Sequence, residues 1–207
     1  GLIRLGSTAV DALRAKLADP AVRLTAMEIL GEMGPAAKPA LDDLVKAVDD
    51  ADPVCRTEAA VALSALGADA APAVPALRKL LADETMPAQN RYPAAYALGS
   101  IGPEAKPALD ELRALEKSAD ELMATVAVWA ALKISPADAE LEAAAVPLLR
   151  KALRADREIV RLEAAVALGD IGPLAKAAIP ILELVSEDDQ SRGVRQAAAA
   201  ALAKIRR

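Results

Sequence analysis

The sequence has no histidine, no phenylalanine and a single cysteine among its 207 residues. Without histidine, the chain cannot build a histidine-based catalytic triad, use an imidazole general base or bind a metal through imidazole nitrogen. It also lacks the glycine-rich phosphate loops, calcium loops and paired-cysteine motifs typical of cofactor and metal sites. The lone Cys55 permits no internal disulfide, and free cysteines are more often buried structural thiols than reactive ones. We therefore predict no catalytic residue, no cofactor and no metal.

Basic residues are outnumbered, since 25 Lys and Arg face 30 Asp and Glu, which gives a net charge of −5. Phosphate neutralisation requires clustered Lys and Arg, so an acidic chain is a poor general nucleic-acid binder. No uninterrupted apolar run approaches the roughly 18 residues of a membrane span, and nothing indicates an oxidising compartment. We expect a monomer that binds neither nucleic acid nor membrane, and a cytoplasmic location is favoured.

Apolar residues are nevertheless abundant at 54%, although only two Tyr and one Trp are aromatic. The apolar bulk is Ala, Leu, Val and Ile, and alanine is both the best helix former and small enough to let helices approach closely. This composition favours many similar helical layers over one large core with aromatic residues at its centre.

One stretch, residues 161–173, recurs along the chain. Each copy begins with an arginine, and these arginines lie 33, 35, 70 and 34 residues apart, at Arg23, Arg56, Arg91, Arg161 and Arg195. The gap of 70 residues holds a degenerate copy at 122–134. A fixed period of this length is typical of stacked helix pairs, so we predict an all-α, right-handed α-α superhelix of about six pairs. We predict that residues 1–207 form one domain. Because residues 2–6 match residues 30–34 in the middle of a repeat, we also expect the chain to be a piece of a longer protein.

Glycine and proline mark the predicted helix ends. Asp19-Pro20 and Asp52-Pro53 place a side-chain acceptor before a proline at a helix start. The second helix of a pair is predicted to stop at a glycine that tolerates positive φ: Gly34, Gly67, Gly102 and Gly172. Prolines near the start of each first helix are expected to kink it or delay its start: Pro39, Pro72, Pro107 and Pro180.

Positions counted from the arginine of each copy define the faces of the second helix. Positions +3 and +7 are Ala and Leu in nearly every copy and +4 is mostly Ala, which predicts burial. Positions +1, +2 and +5 vary in character and share one stripe of the helix. We predict that this stripe lines the exposed inner face of the superhelix.

The pattern resembles the HEAT-repeat family, in particular the short bacterial HEAT-like repeats of phycobilisome lyase subunits. The matching features are Val-Arg at 22–23, 160–161 and 194–195, the Ala pairs, and Leu-Gly-x-Ile-Gly-Pro at 98–103 and 168–173. The resemblance covers essentially the whole chain and implies a concave binding surface lined by the second helices. It also implies stabilising ladders of acidic turns and arginines, which carry over to Asp19, Asp52 and Asp156 and to the five repeat arginines. A HEAT-like iron hydroxylase would need His-Glu pairs that this sequence lacks.

Two places depart from the pattern. The turn between Asp83 and Arg91 is longer than in the flanking copies, and Pro93 lies inside the expected second helix. Ser135-Pro136 replaces Gly-Pro after the degenerate copy. Breaks in an otherwise consistent pattern are where function or strain tends to lie.

All three aromatic residues, Tyr92, Tyr96 and Trp129, fall in the second helices of the central repeats. The two tyrosines are one turn apart on the predicted inner stripe, whereas Trp129 falls at +4 or +5. With Leu162 and Val166 they form a candidate apolar patch for a protein or peptide partner, because aromatic patches with polar rims are typical binding anchors. The alternative is structural, with Trp129 filling space left by the irregular repeat and the tyrosines packing at the Pro93 kink.

We therefore predict a non-enzymatic scaffold that binds a protein or peptide partner along the concave face. The alternative is a chromophore lyase-like subunit that binds a tetrapyrrole (bilin) at the aromatic patch, for which the resemblance is the only argument. A third interpretation, nucleic-acid binding as in HEAT-like DNA glycosylases, would require a basic groove.

Overall fold

The computed structural model describes residues 2–136 and 138–207, with side chains from residue 8 onward. Throughout this described part the chain is helical and contains no strand. The α-helices are α1 Leu2–Lys16, α2 Arg23–Glu32, α3 Leu41–Ala47, α4 Pro53–Leu66, α5 Val74–Ala82, α6 Ala88–Ile101, α7 Leu109–Leu115, α8 Glu121–Ile134, α9 Ala139–Ala152, α10 Glu158–Ile171, α11 Ile179–Asp188 and α12 Arg192–Ile205.

These helices form six consecutive pairs, as predicted, and the chain divides into two compact units, Gly1–Leu112 and Arg113–Arg207. In the N-terminal unit the second helices α2, α4 and α6 pack in sequence against one another, and in the C-terminal unit α8, α10 and α12 do the same. Within each unit, first helices pack beside their own second helices: α1 with α2, α3 with α4, α5 with α6, α9 with α10 and α11 with α12. The prediction of a single continuous domain stays a prediction.

Four glycines end second helices, as the sequence predicted. Each has positive φ, with values of 55° at Gly34, 59° at Gly67, 76° at Gly102 and 68° at Gly172. At the last three, ψ lies between −135° and −141°, a mirror image of the extended conformation that only glycine adopts readily. A seven-residue 3-10 segment begins at each of these glycines: Gly34–Ala40, Gly67–Ala73, Gly102–Ala108 and Gly172–Ala178.

The prolines delay the α-helical part of the first helices, which confirms that prediction. Pro39, Pro72 and Pro107 lie inside the 3-10 segments, and Pro180 lies in the first turn of α11. Proline lacks the N–H that an α-helix interior needs, whereas a 3-10 segment or a first turn accommodates it.

Side-chain caps start several second helices. Asp52 caps α4 by accepting the Val54 N–H at 2.9 Å, and Asp120 caps α8 by accepting the N–H groups of Leu122 and Met123. Asp19 instead accepts the Ala21 N–H at 3.0 Å within a turn, and α2 starts only at Arg23. The predicted cap at Asp19 is therefore a turn that precedes the helix.

The repeat arginines bind the turns between helices, but through residues other than those predicted. Arg161 holds the Asp189 carboxylate with two nitrogens, at 2.7 and 3.1 Å, and Arg23 lies 3.1 Å from the Asp50 carboxylate. Arg56 and Arg195 donate to the main-chain carbonyls of those same aspartates. Each aspartate therefore joins the arginines of two successive repeats.

The ladder prediction for Asp19, Asp52 and Asp156 is wrong in its acidic residues. The Asp52 and Asp19 carboxylates are engaged by main-chain N–H groups, and Asp156 offers Arg161 only its main-chain carbonyl, at 2.9 Å. The reason is geometric: an arginine one turn into the helix reaches back over the turn to residues five and six positions earlier. Hydrogen bonds donated by Arg161 hold the pKa of Asp189 below its usual range despite burial.

Burial along the second helices follows the predicted positions. Ala at +3 and Leu at +7 are buried in every regular copy, and +4 is buried from α2 to α10. Ala199, the +4 residue of α12, is exposed.

Where α2 meets α4 and α10 meets α12, a glycine at +8 of one helix contacts an alanine at +6 of the next, whereas α4 has Ser64 and α8 has Leu132 at +8. A Cβ placed on Gly31 would lie 3.4 Å from Ala62 Cα, and one placed on Gly169 would lie 3.0 Å from Ala201 Cα. Small residues at both positions therefore set the spacing between layers.

The two irregular places differ from each other in structure. Pro93 lies inside α6 without ending it, at the expense of the hydrogen bond that its missing N–H would donate. After α8 the chain forms no 3-10 segment in the residues described; α9 instead runs as one helix with Asp138 as its cap and Pro147 inside.

Two stretches, Pro53–Ala82 and Glu158–Asp188, are long and apolar enough to cross a membrane by length and composition. Each consists of a second helix, a 3-10 segment and the next first helix, and about half of its apolar window is buried. A glycine with positive φ interrupts both, so neither is one continuous α-helix.

Exchange of the +8 glycines tests the layer spacing. Gly→Ala in a helix interior ordinarily stabilises by about 0.5–1 kcal/mol. We expect Gly31→Ala to be neutral or stabilising, because its new Cβ makes an ordinary contact with α4. Gly169→Ala should instead lower the free energy of unfolding by about 1–2 kcal/mol, since main-chain atoms of α12 must move. Urea unfolding of both variants measures the difference, and equal effects would contradict it.

Candidate interaction faces

The second-helix face of each unit consists of the side chains at +1, +2 and +5 of its second helices. The +5 side chains are the most accessible. Val61 and Val166 are each 39% exposed, and Glu28 and Ala200 are exposed as well. Tyr96 and Trp129 are half-buried. The prediction that this stripe stays outside the core therefore holds at +5.

Tyr92 departs from that prediction, because it is buried with only 8% of its surface exposed. It occupies +1, on the side of the helix where the +4 and +8 residues, about one and two turns later, face the next layer. Thr57, at +1 of α4, shows that this position points toward the next second helix. Its hydroxyl accepts a hydrogen bond from the Asn90 side-chain amide of α6 at 3.1 Å. A large side chain at +1 is thus turned toward the layer contact, and the expected exposure of Tyr92 is wrong.

Trp129 stands at +5, which settles the choice between +4 and +5. Helices α8 and α10 are both 14 residues long and end in the same register, at Ile134 and Ile171. Ala124 therefore occupies the place of the repeat arginine, and Trp129 corresponds to Val166.

The five predicted site residues are divided between the two units. Tyr92 and Tyr96 lie on α6 of the N-terminal unit, whereas Trp129, Leu162 and Val166 lie on α8 and α10 of the C-terminal unit. Leu162 is half-buried at +1, like Leu24 of α2. Their role as a shared partner-binding patch stays a prediction.

Asp170 at +9 of α10 organises the C-terminal unit's face. Its carboxylate accepts the Trp129 indole N–H at 3.2 Å and the Lys204 ammonium at 2.9 Å, and Lys133 lies 3.6 Å away. These three donors come from α8 and α12, so one carboxylate joins three layers. Burial alone would raise the pKa of Asp170, but the hydrogen bonds from Lys204 and Trp129 outweigh it and lower the pKa.

A cleft of about 240 Å³ opens beside this carboxylate, at the place where the Gly-Pro turn is missing. Its walls combine apolar and charged side chains: Trp129, Leu132, Lys133, Pro136, Glu142, Ala167, Asp170 and Ile171. The departure at Ser135-Pro136 was a sequence signal for an irregular site, but nothing in the repeat pattern indicated Asp170.

Cys55 is a buried thiol, as expected. Burial raises its pKa, although Arg23 beside it acts in the opposite direction, so the thiol form prevails. Among the described residues, no three acidic or sulfur-bearing side chains come together as a metal site would require.

Removal of the Asp170 charge tests the three-layer contact. Because the folded pKa is lowered, the carboxylate stabilises above its unfolded pKa of about 3.9 and this contribution disappears as pH falls through the folded pKa. We expect Asp170→Asn to lose about 1 kcal/mol at pH 7, since the lysines are exposed, and almost nothing near pH 2. Urea unfolding of wild type and variant at both pH values measures this. Asp188→Asn, at the exposed end of α11, should show no such change, and a pH-independent deficit at Asp170 would refute the charge contribution.

A family model described as HEAT repeats matches residues 7–87 and 114–203, whereas no curated protein matches. Among solved structures, the chain is similar to the complex of CpcE and CpcF of phycocyanin lyase from Nostoc sp. PCC7120, with a TM-score of 0.69 and 25% identity over 96% of this chain and 83% of that chain. It also shares its fold with two engineered proteins. The first has a TM-score of 0.57 and 24% identity, over 95% of this chain and 96% of that chain. The second has a TM-score of 0.55 and 26% identity, over 95% of this chain and 58% of that chain. Since the family model covers most of its length, the chain belongs to the HEAT-repeat family.

Proposed function

We propose that this protein is a non-enzymatic scaffold that binds a protein or peptide partner along its second-helix faces. One observation carries the proposal. Positions +3 and +7 hold the same small set of buried residues from repeat to repeat, while the accessible +5 position holds Glu28, Val61, Tyr96, Trp129 and Val166. Packing therefore fixes the first set and leaves the chemistry of the second free for recognition.

The half-buried aromatic residues are suitable anchors within these faces. Tyr96 and Trp129 are half-buried and offer large apolar surfaces, as binding hot spots do. The Trp129 ring is fixed in orientation by its hydrogen bond to Asp170. A surface arranged in this way before binding loses little conformational entropy when a partner arrives.

Site-specific crosslinking tests the proposal. A photo-crosslinking amino acid at position 61 or 166 should capture a partner in cells of the source organism. The control is position 184, where Leu184 on the first helix α11 is 54% exposed and thus more accessible than Val61 or Val166. Crosslinks mainly from position 184, or equally from all three, would refute the second-helix faces as the binding surface.

A second candidate, a chromophore lyase-like subunit that binds a bilin, is favoured by the similarity to a phycocyanin lyase complex. The cleft beside Trp129 would offer its indole for stacking. Visible absorbance that shifts when a linear tetrapyrrole is added, and that is lost in Trp129→Ala but kept in Tyr96→Ala, would support this candidate. An unchanged spectrum would remove it.

A further inference from the structure

The charges on the two second-helix faces differ in a way that the repeat pattern does not require. At the +1, +2, +5 and +9 positions of α2, α4 and α6, the N-terminal unit carries Glu28, Glu32 and Glu58 and no Lys or Arg. None of these three carboxylates makes an ion pair with a described side chain. In the C-terminal unit, by contrast, the same positions carry Lys133 and Lys204 beside Glu163 and Asp170, and both lysines pair with Asp170.

Two of these carboxylates repel each other across neighbouring helices. Glu28 lies at +5 of α2 and Glu58 at +2 of α4, and α2 packs directly against α4. Burial raises the pKa of Glu58, and the charge of Glu28 raises it further. Like charges side by side destabilise a folded surface unless a partner of opposite charge neutralises them.

Apolar side chains lie beside these carboxylates. On α4, Val54 is 51% exposed and Val61 39% exposed, and the two lie on either side of Glu58 along the helix. Tyr96 follows on α6, at the same +5 position as Val61. An apolar stripe bordered by unneutralised carboxylates is complementary to a helix or strand with apolar residues on one side and cations beside them.

We infer that a Lys- and Arg-rich amphipathic segment of another protein binds the second-helix face of the N-terminal unit at Glu28, Glu58, Val61 and Tyr96, and also contacts Glu32 and Val54, which lie about one turn beyond that face at either end. This inference rests on the proposed function and specifies the partner's chemistry for one of the two units. The cations of the segment neutralise the carboxylates of α2 and α4, and its apolar residues cover the valines and the tyrosine ring. The C-terminal unit, whose face carries two lysines beside its two carboxylates, does not share this preference.

The probe is a synthetic peptide about 18 residues long, or five helical turns, built of Leu, Ala and Lys with the lysines along one side. Its twin carries Glu in place of each Lys. Binding to the full chain is followed by the fluorescence anisotropy of a labelled peptide. We expect the basic peptide to bind, with an affinity that falls as salt screens the charges, and the acidic twin to bind far more weakly.

The triple variant Glu28→Gln, Glu32→Gln and Glu58→Gln should weaken this binding at least about tenfold, because three pairings are lost together. The matched control, Glu104→Gln, Glu140→Gln and Glu187→Gln, changes the net charge equally at exposed positions elsewhere and should stay within about twofold. Gln keeps the size and helix propensity of Glu, and thermal unfolding verifies that both variants fold.

The other outcomes separate this inference from the proposed function. Equal weakening in the control, equal binding of the acidic twin, or no binding of the basic peptide overturns the inference. If Val61→Ser weakens binding and the glutamine triple variant does not, the face binds a partner without selecting cations, so the inference fails and the proposed function stands. If no variant on this face has an effect and position 61 yields no crosslinks, both fail.

Discussion

The close approach of successive second helices is the contact on which the rest of the structure depends. It depends on small side chains between the layers: +3 is Ala in every copy, and Gly31 meets Ala62 as Gly169 meets Ala201, although +4 is Met27 in α2 and Val128 in α8. Small side chains bring the helix backbones together, and the Leu at +7 is buried in every regular copy. Each layer therefore packs mainly on its neighbours, so stability is approximately a sum of repeat and interface contributions.

The turns preserve this spacing at both ends of the second helices. At one end, glycines such as Gly67 reverse the chain with a conformation that other residues rarely adopt, and a 3-10 segment carries the proline into the next helix. At the other end, an arginine binds the carbonyls of its own turn, while Asp50 and Asp189 connect it to the arginine of the preceding repeat. These repeated contacts do not include the +5 position, so the residue there differs from copy to copy, as Glu28, Val61 and Trp129 show.

The sequence was sufficient to predict the features that repeat. Helix pairing, the glycine stops, the proline delays and the buried +3 and +7 positions all follow from residues that recur at fixed spacing. Features that occur only once were harder to predict. The sequence could not decide whether Trp129 lies at +4 or at +5, because its repeat has Ala124 in the place of the arginine from which positions are counted. Tyr92 was expected to be exposed, since the residue at +1 varies among repeats. A position whose residue varies can nevertheless face the next layer.

Electrostatic partners were the least predictable part. Several aspartates lie in each turn, and only geometry shows that Asp50 and Asp189, rather than Asp52 and Asp156, reach the arginine of the preceding repeat. Asp170 occupies a position that is Glu32, Ala65, Ser100 or Lys elsewhere, so no pattern indicated that it would join α8, α10 and α12. Because the residues at such positions vary among repeats, the face of the N-terminal unit is acidic, whereas lysines neutralise the carboxylates on the face of the C-terminal unit.

The most direct test of the layer packing compares one substitution at two adjacent positions of α4. Ala60 at +4 is fully buried, whereas Val61 at +5 is 39% exposed. Leucine at position 60 should lower the free energy of unfolding by about 2 kcal/mol, because the neighbouring layer must move to admit it, while leucine at position 61 should change it by less than about 0.5 kcal/mol. Equal losses from the two variants, or a larger loss at position 61, would contradict a fold that is fixed by small residues between layers and free at +5.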